Sequence, residues 1–170
     1  VIYDRERKTV QRIIGSALKH GVNAVIASDL AVISAAREAG MPVHMSTQVN
    51  ISNTAAVKFW SQFADTMVLA RELALDQVAA IARAIRREKI TGPSGKPVQL
   101  EIFAHGALCM AVSGKCYLSL DHYKASANRG ACYQQCRRPY RVTDLDTGIE
   151  LEVDNEFIMS PKDLCTIGII

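Results

Sequence analysis

The sequence predicts an α/β fold, a partial (β/α) TIM-like barrel with a cysteine-rich loop insertion after its last visible strand. Three observations predict it. Short apolar runs alternate with amphipathic helices from Thr9 to Phe103, the runs are rich in apolar residues as strands buried on both faces should be, and polar residues gather just after each run.

Taken in order, Val10, Ile13, Ile14, Ala17 and Leu18 recur every three or four positions between Thr9 and His20, which gives a helix with one buried face ended by Gly21. Val22 to Ala27 reads as a strand. Ser28-Asp29 follows, and a helix from Leu30 to Ala39 stops at Gly40, with Asp29 as its cap. The unit then repeats: strand Val43 to Thr47, helix Asn53 to Phe63, strand Thr66 to Ala70, and helix Leu75 to Lys89 with Val78, Ile81, Ala82 and Ile85 on one face. A turn-rich connection, Gly92-Pro93-Ser94-Gly95-Lys96-Pro97, leads into a fourth strand, Val98 to Phe103. Four such strands make about half of an eight-stranded barrel. Beyond Gly106 the alternation fails, apart from a hairpin expected around Asp146-Thr147-Gly148. We divide the chain into 1–106, the βα units; 107–156, the cysteine-rich insertion with its hairpin; and 157–170, a return segment toward the barrel.

Composition bounds the function. Hydrophobic residues make up 49% and charged residues 22%, which suits a folded globular chain and excludes general disorder. The net charge of +3 permits a nucleic-acid partner without demanding one. Its distribution is more informative, because Lys124, Arg129, Arg137, Arg138 and Arg141 fall in a stretch without acidic residues, and Tyr117, Tyr123, Tyr133 and Tyr140 lie in and around it. Each tyrosine taken singly reads as packing, whereas the group reads as stacking platforms beside phosphate-binding cations. No run reaches the roughly 18 apolar residues of a membrane span, so no membrane partner is expected. The chain opens without methionine and closes on Thr166-Ile167-Gly168-Ile169-Ile170, from which we expect a piece of a longer protein.

Five cysteines, an odd number, point to a reduced, cytoplasmic setting with a metal or redox role. Cys109, Cys116, Cys132 and Cys136 form two close pairs. Four thiolates complete a closed site on a cubane iron–sulfur cluster or on zinc, and the wide first pair suits zinc less. Buried small side chains are the plain alternative. Cys165, in an apolar run, reads as core.

The polar residues that follow the strands are the catalytic candidates: His44, Gln48, Asn50, Arg71, Glu72 and His105. Arg71 is the choice for an anion, because its planar fork suits a carboxylate. An Arg71-Glu72 ion pair and hydrogen-bonded barrel histidines are the structural readings of the same residues. No G-x-S-x-G or H-E-x-x-H motif is present.

The segment Glu101-Ile102-Phe103-Ala104-His105-Gly106-Ala107-Leu108-Cys109-Met110-Ala111-Val112-Ser113-Gly114-Lys115-Cys116-Tyr117-Leu118-Ser119 resembles the signature of the collagenase-like peptidase family U32. Asn128 to Tyr140 and Phe157 to Leu164 extend the likeness toward the branch made of tRNA 5-hydroxyuridine synthesis proteins. The resemblance implies a (β/α) barrel, a 4Fe-4S cluster on Cys109, Cys116, Cys132 and Cys136 with Cys165 in reserve, and hydroxylation of the wobble uridine in the tRNA anticodon loop. Prephenate is the implied small carboxylated co-substrate, and Lys124, Arg129, Arg137 and Arg138 are the implied RNA contacts. Two other classes stay open at this point: a peptidase of the U32 type, and a non-catalytic zinc-stabilised RNA-binding module. The oligomeric state is not set by the sequence.

Overall fold

A computed structural model describes residues 1–152, 163–166 and 168. The chain divides into two compact units, Val1–Ile102 and Phe103–Ile170.

The first unit is α/β. Its helices are α1 (Arg7–Lys19), α2 (Leu30–Glu38), α3 (Thr54–Trp60) and α4 (Leu75–Glu88), and its strands are β1 (Val25–Ala27), β2 (Val43–Met45), β3 (Thr66–Val68) and β4 (Gln99–Glu101). The four strands form one parallel sheet in chain order, β1-β2-β3-β4. Consecutive parallel neighbours need a crossover each time, and the amphipathic helices supply it.

Register decides which side chains meet the helices. Ala27, Val43, Met45 and Met67 point to the face where Ile14, Ile33, Ala36, Val57, Ile81 and Ile85 of the helices pack, and together they make the hydrophobic core. The alternate residues Ile26, His44, Thr66 and Glu101 lie on the opposite face of the sheet, outside that core. Ile26 is 65% exposed there while Val68, beside Glu101, is buried, so the second face is open at its β1 edge.

Side-chain contacts start three of the four helices close to where the sequence places them, whereas α1 begins at Arg7, two residues before the expected Thr9. Asp29 Oδ1 accepts from Ala31 N at 3.0 Å, Asn53 Oδ1 accepts from Ala56 N at 2.9 Å, and Gln77 Oε1 reaches back to Ala74 N at 2.8 Å. The strands are shorter than the apolar runs suggest. Leu69 and Ala70 are buried but lie past the last residue of β3, because burial continues where regular pairing has stopped.

The second unit holds β5 (His105–Ala107), α5 (Leu118–Tyr123), β6 (Arg141–Thr143), β7 (Glu150–Glu152), β8 (Asp163–Cys165) and several short 3-10 turns. β6 and β7 form the expected hairpin, with Asp144 Oδ1 accepting from Asp146 N and Thr147 N in its loop. β5 pairs antiparallel with β8, placing His105 opposite Cys165. This corrects the expectation that Cys165 is core, because its strand is open to solvent and the residue is exposed. Most of the return segment 157–170 lies outside the described residues.

Candidate iron–sulfur and RNA site

In the first unit Gln48, Asn50, Arg71 and Glu72 lie beyond the C-terminal ends of β2 and β3, whereas His44 lies within a strand. His44 is the middle residue of β2, and its Nδ1 lies 3.8 Å from Glu101 Oε2 of β4. Sequence alone leaves the direction of Glu101 open, and the parallel register settles it: both residues point to the second face of the sheet. Past β2 a 3-10 turn, Thr47–Val49, is tied down by Ser46 Oγ, which accepts from Gln48 N at 3.2 Å, and by Thr47 Oγ1, which donates to Leu69 O at 3.2 Å. Gln48 Oε1 accepts from Ser28 Oγ at 2.8 Å, which fixes the side-chain amide against the segment after β1. Asn50 ends the turn at φ 56, a left-handed conformation that asparagine tolerates better than most residues. Its place in the chain is therefore accounted for by backbone geometry. Arg71 is half-buried and Glu72 is exposed, both just beyond β3.

In the second unit all five cysteines are free thiols. The thiol of Cys136 is raised above the ordinary cysteine range, first by burial and then by electrostatic repulsion from Cys109, Cys132 and Cys116, while Arg137 acts in the opposite direction. Cys109, Cys116 and Cys132 are thus the thiols whose charge acts on Cys136. Among the described residues, no group of three or more His, Cys, Asp and Glu side chains is set to hold one metal ion. The two facts are compatible: repulsion acts over several ångströms, whereas a tetrahedral ion with Zn–S bonds of about 2.3 Å needs sulfurs about 3.8 Å apart.

The backbone near the thiols is ordered by specific contacts. Cys116 N donates to Asn128 Oδ1 at 3.1 Å, Leu118 N donates to Cys116 Sγ at 3.4 Å, and Tyr140 Oη donates to Gln135 O at 2.8 Å. In the second unit two buried polar atoms, Ser113 Oγ and Gln135 Nε2, have no hydrogen-bond partner among the described residues. A buried donor left unpaired costs about 1–3 kcal/mol. Ser113 lies three residues before Cys116 and Gln135 adjoins Cys136, so these two donors stand in the segments that carry the thiols, a donor set whose chemistry fits an anionic centre such as a cluster.

The four basic candidates differ in setting. Arg137 Nη2 is bonded to Asp163 Oδ1 at 2.6 Å, tying the turn after Cys136 to β8. Arg138 Nη1 donates to Tyr123 Oη at 2.7 Å, and Lys124 Nζ donates to Asp121 O at 3.3 Å. Arg129 ends an exposed 3-10 turn. His105 is exposed in β5. The residues that sequence reasoning did not select are Ser28, Glu101, Ser113 and Gln135; only contacts across the fold mark them out.

The chain matches the model of peptidase family U32 over residues 1–170. It is 57% identical over 170 residues to a protein named collagenase from Porphyromonas gingivalis, covering 100% of this chain and 41% of the relative. A 23S rRNA 5-hydroxycytidine synthase of Escherichia coli is 38% identical over 167 residues, covering 96% and 23%. The tRNA hydroxylation protein P of Escherichia coli is 37% identical over 156 residues, covering 90% and 32%. The chain thus spans less than half the length of these curated relatives. No solved structure matches it at a significant level.

Proposed function

The chain belongs to peptidase family U32, and from that premise we propose that it is part of an iron–sulfur-dependent RNA hydroxylase, acting with prephenate on the wobble uridine of tRNA to give 5-hydroxyuridine. The observation that supports the reading is that Cys109, Cys116, Cys132 and Cys136 are all free thiols within the second compact unit. Relatives named for hydroxylation of tRNA and of ribosomal RNA support an RNA substrate, and such a substrate places the protein in the cytoplasm.

In this reading the four cysteines hold a 4Fe-4S cluster, which when bound supplies one-electron redox chemistry. Ser113 and Gln135, in the segments that carry Cys116 and Cys136, would supply hydrogen-bond donors to that anionic centre. Lys124, Arg129 and Arg138 attract phosphate, and Arg137 acts through its bond to Asp163 on the turn that carries Cys136. In the first unit, the parallel sheet in chain order is part of a closed (β/α) barrel whose interior is the face bearing His44 and Glu101. Arg71 takes the carboxylate of the co-substrate through its planar fork. Gln48, beyond the C-terminal end of β2 and bonded to Ser28, and His44, within β2 and facing Glu101, present polar groups to the base. An anticodon base is already unpaired, so little unstacking energy opposes its entry.

Nucleoside analysis of tRNA from a strain lacking this protein tests the reading. Loss of 5-hydroxyuridine, restored by the wild type but not by Cys132→Ser, is the expected result; unchanged hydroxyuridine in the deletion strain sinks it. The collagenase name of the 57% identical relative favours a second reading, peptide hydrolysis. Collagen cleavage that survives replacement of all four cysteines would favour that reading over the redox one.

A further inference from the structure

The second unit exposes aromatic rings that the packing does not use. Aromatic residues are 6% of the chain, yet Tyr123 and Tyr133 are 42% and 54% exposed and meet each other rather than the core. Their ring centroids lie 5.3 Å apart with the planes at 73°, and His122 meets Tyr123 edge-on at 4.7 Å and 88°. An edge-to-face contact covers at most one face of one ring of the pair, and Tyr133, 54% exposed, has no other ring contact or guanidinium on it among the described residues, whereas Arg138 lies over Tyr123. Such faces on a solvated surface suit a further flat aromatic group.

The rings are also held in place. Tyr133 N donates to Ser119 Oγ at 3.0 Å, and Ser119 is buried. Tyr123 is the last residue of α5, after which Lys124 turns into the left-handed region at φ 54. Arg138 donates to Tyr123 Oη and lies 5.4 Å from the ring centroid, and its fork keeps further N–H donors beyond the one used. A surface ordered before binding loses less entropy when a ligand arrives. The charge at its edge is positive, from Lys124 and Arg138, with Asp121 as the acidic neighbour in α5.

We infer that Tyr133 and Tyr123, braced by His122 and Arg138, form a stacking platform for an unpaired base of single-stranded RNA, with Lys124 and Arg138 taking the adjoining phosphates. The inference deepens the RNA reading and rests on it. An exposed π-face beside a guanidinium fits an unstacked base, whereas the paired bases of a duplex offer no free face to it.

The test uses the full-length protein and a fluorescein-labelled oligouridylate, compared with a duplex of the same length. Tyr133→Ala should weaken single-strand binding roughly ten-fold, or about 1.4 kcal/mol, while Tyr133→Phe, which keeps the ring, should bind like wild type. Arg138→Gln should reduce the slope of log affinity against log salt by about 0.7, as for one lost phosphate contact on a single strand. Tyrosine emission should be quenched by the oligomer in wild type and less so in Tyr133→Ala. Equal single-strand affinity for Tyr133→Ala and wild type, tighter binding to duplex, or a wild type that binds no RNA would each overturn the platform. Binding is read separately from turnover. Single-strand binding through Tyr133 in a protein whose deletion leaves hydroxyuridine intact would sink the functional reading alone, and loss of hydroxyuridine with a Tyr133→Ala variant of unchanged affinity would sink the platform alone.

Discussion

Replacing Gly92 by alanine should strain the base of the sheet and loosen the strand that carries Glu101. A Cβ on Gly92 would lie 2.3 Å from Asp65 Oδ1, 2.7 Å from Asp65 Cα and 2.9 Å from Ala64 O. Ordinary contacts begin at about 3.5 Å, so these neighbours would have to yield by roughly 0.6–1.2 Å. Two of the three atoms belong to the backbone, and no rotamer change relieves them. The third, Asp65 Oδ1, accepts from Ser94 Oγ at 2.7 Å and Ser94 N at 3.1 Å, contacts that a displaced carboxylate loses. Gln99 N donates to Asp65 O at 2.8 Å, which carries the disturbance into β4 and its pairing with β3. Overpacking costs about 1–3 kcal/mol, and the lost hydrogen bonds, discounted for solvent exposure, add about 1 kcal/mol, giving about 2–4 kcal/mol in all. Urea denaturation followed by circular dichroism reads this as a midpoint lower by about 1 M or more, given slopes of about 1–3 kcal/mol/M. Gly21→Ala is the comparison: Gly21 has φ +74 and nothing within 4 Å, so it pays only the left-handed penalty of about 1–2 kcal/mol. A Gly92→Ala variant less destabilised than Gly21→Ala would refute the steric argument.

Three further outcomes are expected. In metal-free protein, Cys136 should be alkylated more slowly than the exposed Cys132; because burial and the neighbouring thiols raise its titration, the lag should shrink as pH rises beyond the ordinary thiol range, and Arg137→Gln should lengthen it. Mass spectrometry of the labelled peptides reads the rates, and faster labelling of Cys136 at pH 8 would contradict the burial argument. Arg71→Lys, which keeps charge but loses the fork, should raise KM for the carboxylated co-substrate about ten-fold with a smaller change in kcat; a changed kcat with unaltered KM in steady-state kinetics would remove Arg71 from anion binding. Residues 1–170 expressed alone should self-associate, since β1 and β4 are the two edges of the described sheet; sedimentation showing a single monomer would count against that.

The first unit was largely legible in the sequence because its signals are local. Ile14, Ile81 and Ile85 lie on the expected helix faces and enter the core, and Asp29 caps the helix it precedes, whereas Ile13 and Leu18, assigned to the same face as Ile14, are exposed because only a narrow stripe of the first helix meets the rest of the unit. Strand ends were less legible, since Leu69 and Ala70 are apolar and buried without belonging to β3. In the second unit the pairing of His105–Ala107 with Asp163–Cys165 has no periodic trace, because the partners are far apart in the chain and each strand is three residues long. Cys165 was misread for the same reason: apolar neighbours suggest a core, whereas exposure depends on what covers a strand. Four cysteines could be singled out by spacing, but the donors Ser113 and Gln135 could not, because an unpaired buried hydroxyl or amide is visible only once its surroundings are known. Arg137 and Arg138 are adjacent and chemically alike in sequence, and only the fold gives one to Asp163 and the other to Tyr123.

The claim on which the redox reading stands is that Cys109, Cys116, Cys132 and Cys136 surround one inorganic centre. Iron and acid-labile sulfide analysis of the full-length protein purified without oxygen, with its Mössbauer spectrum, tests this most directly. Iron and sulfide in equal amounts with a cubane spectrum, lost on replacing any one of the four by serine, is the predicted result; stoichiometric zinc without iron, or a cluster that survives all four replacements, would contradict it.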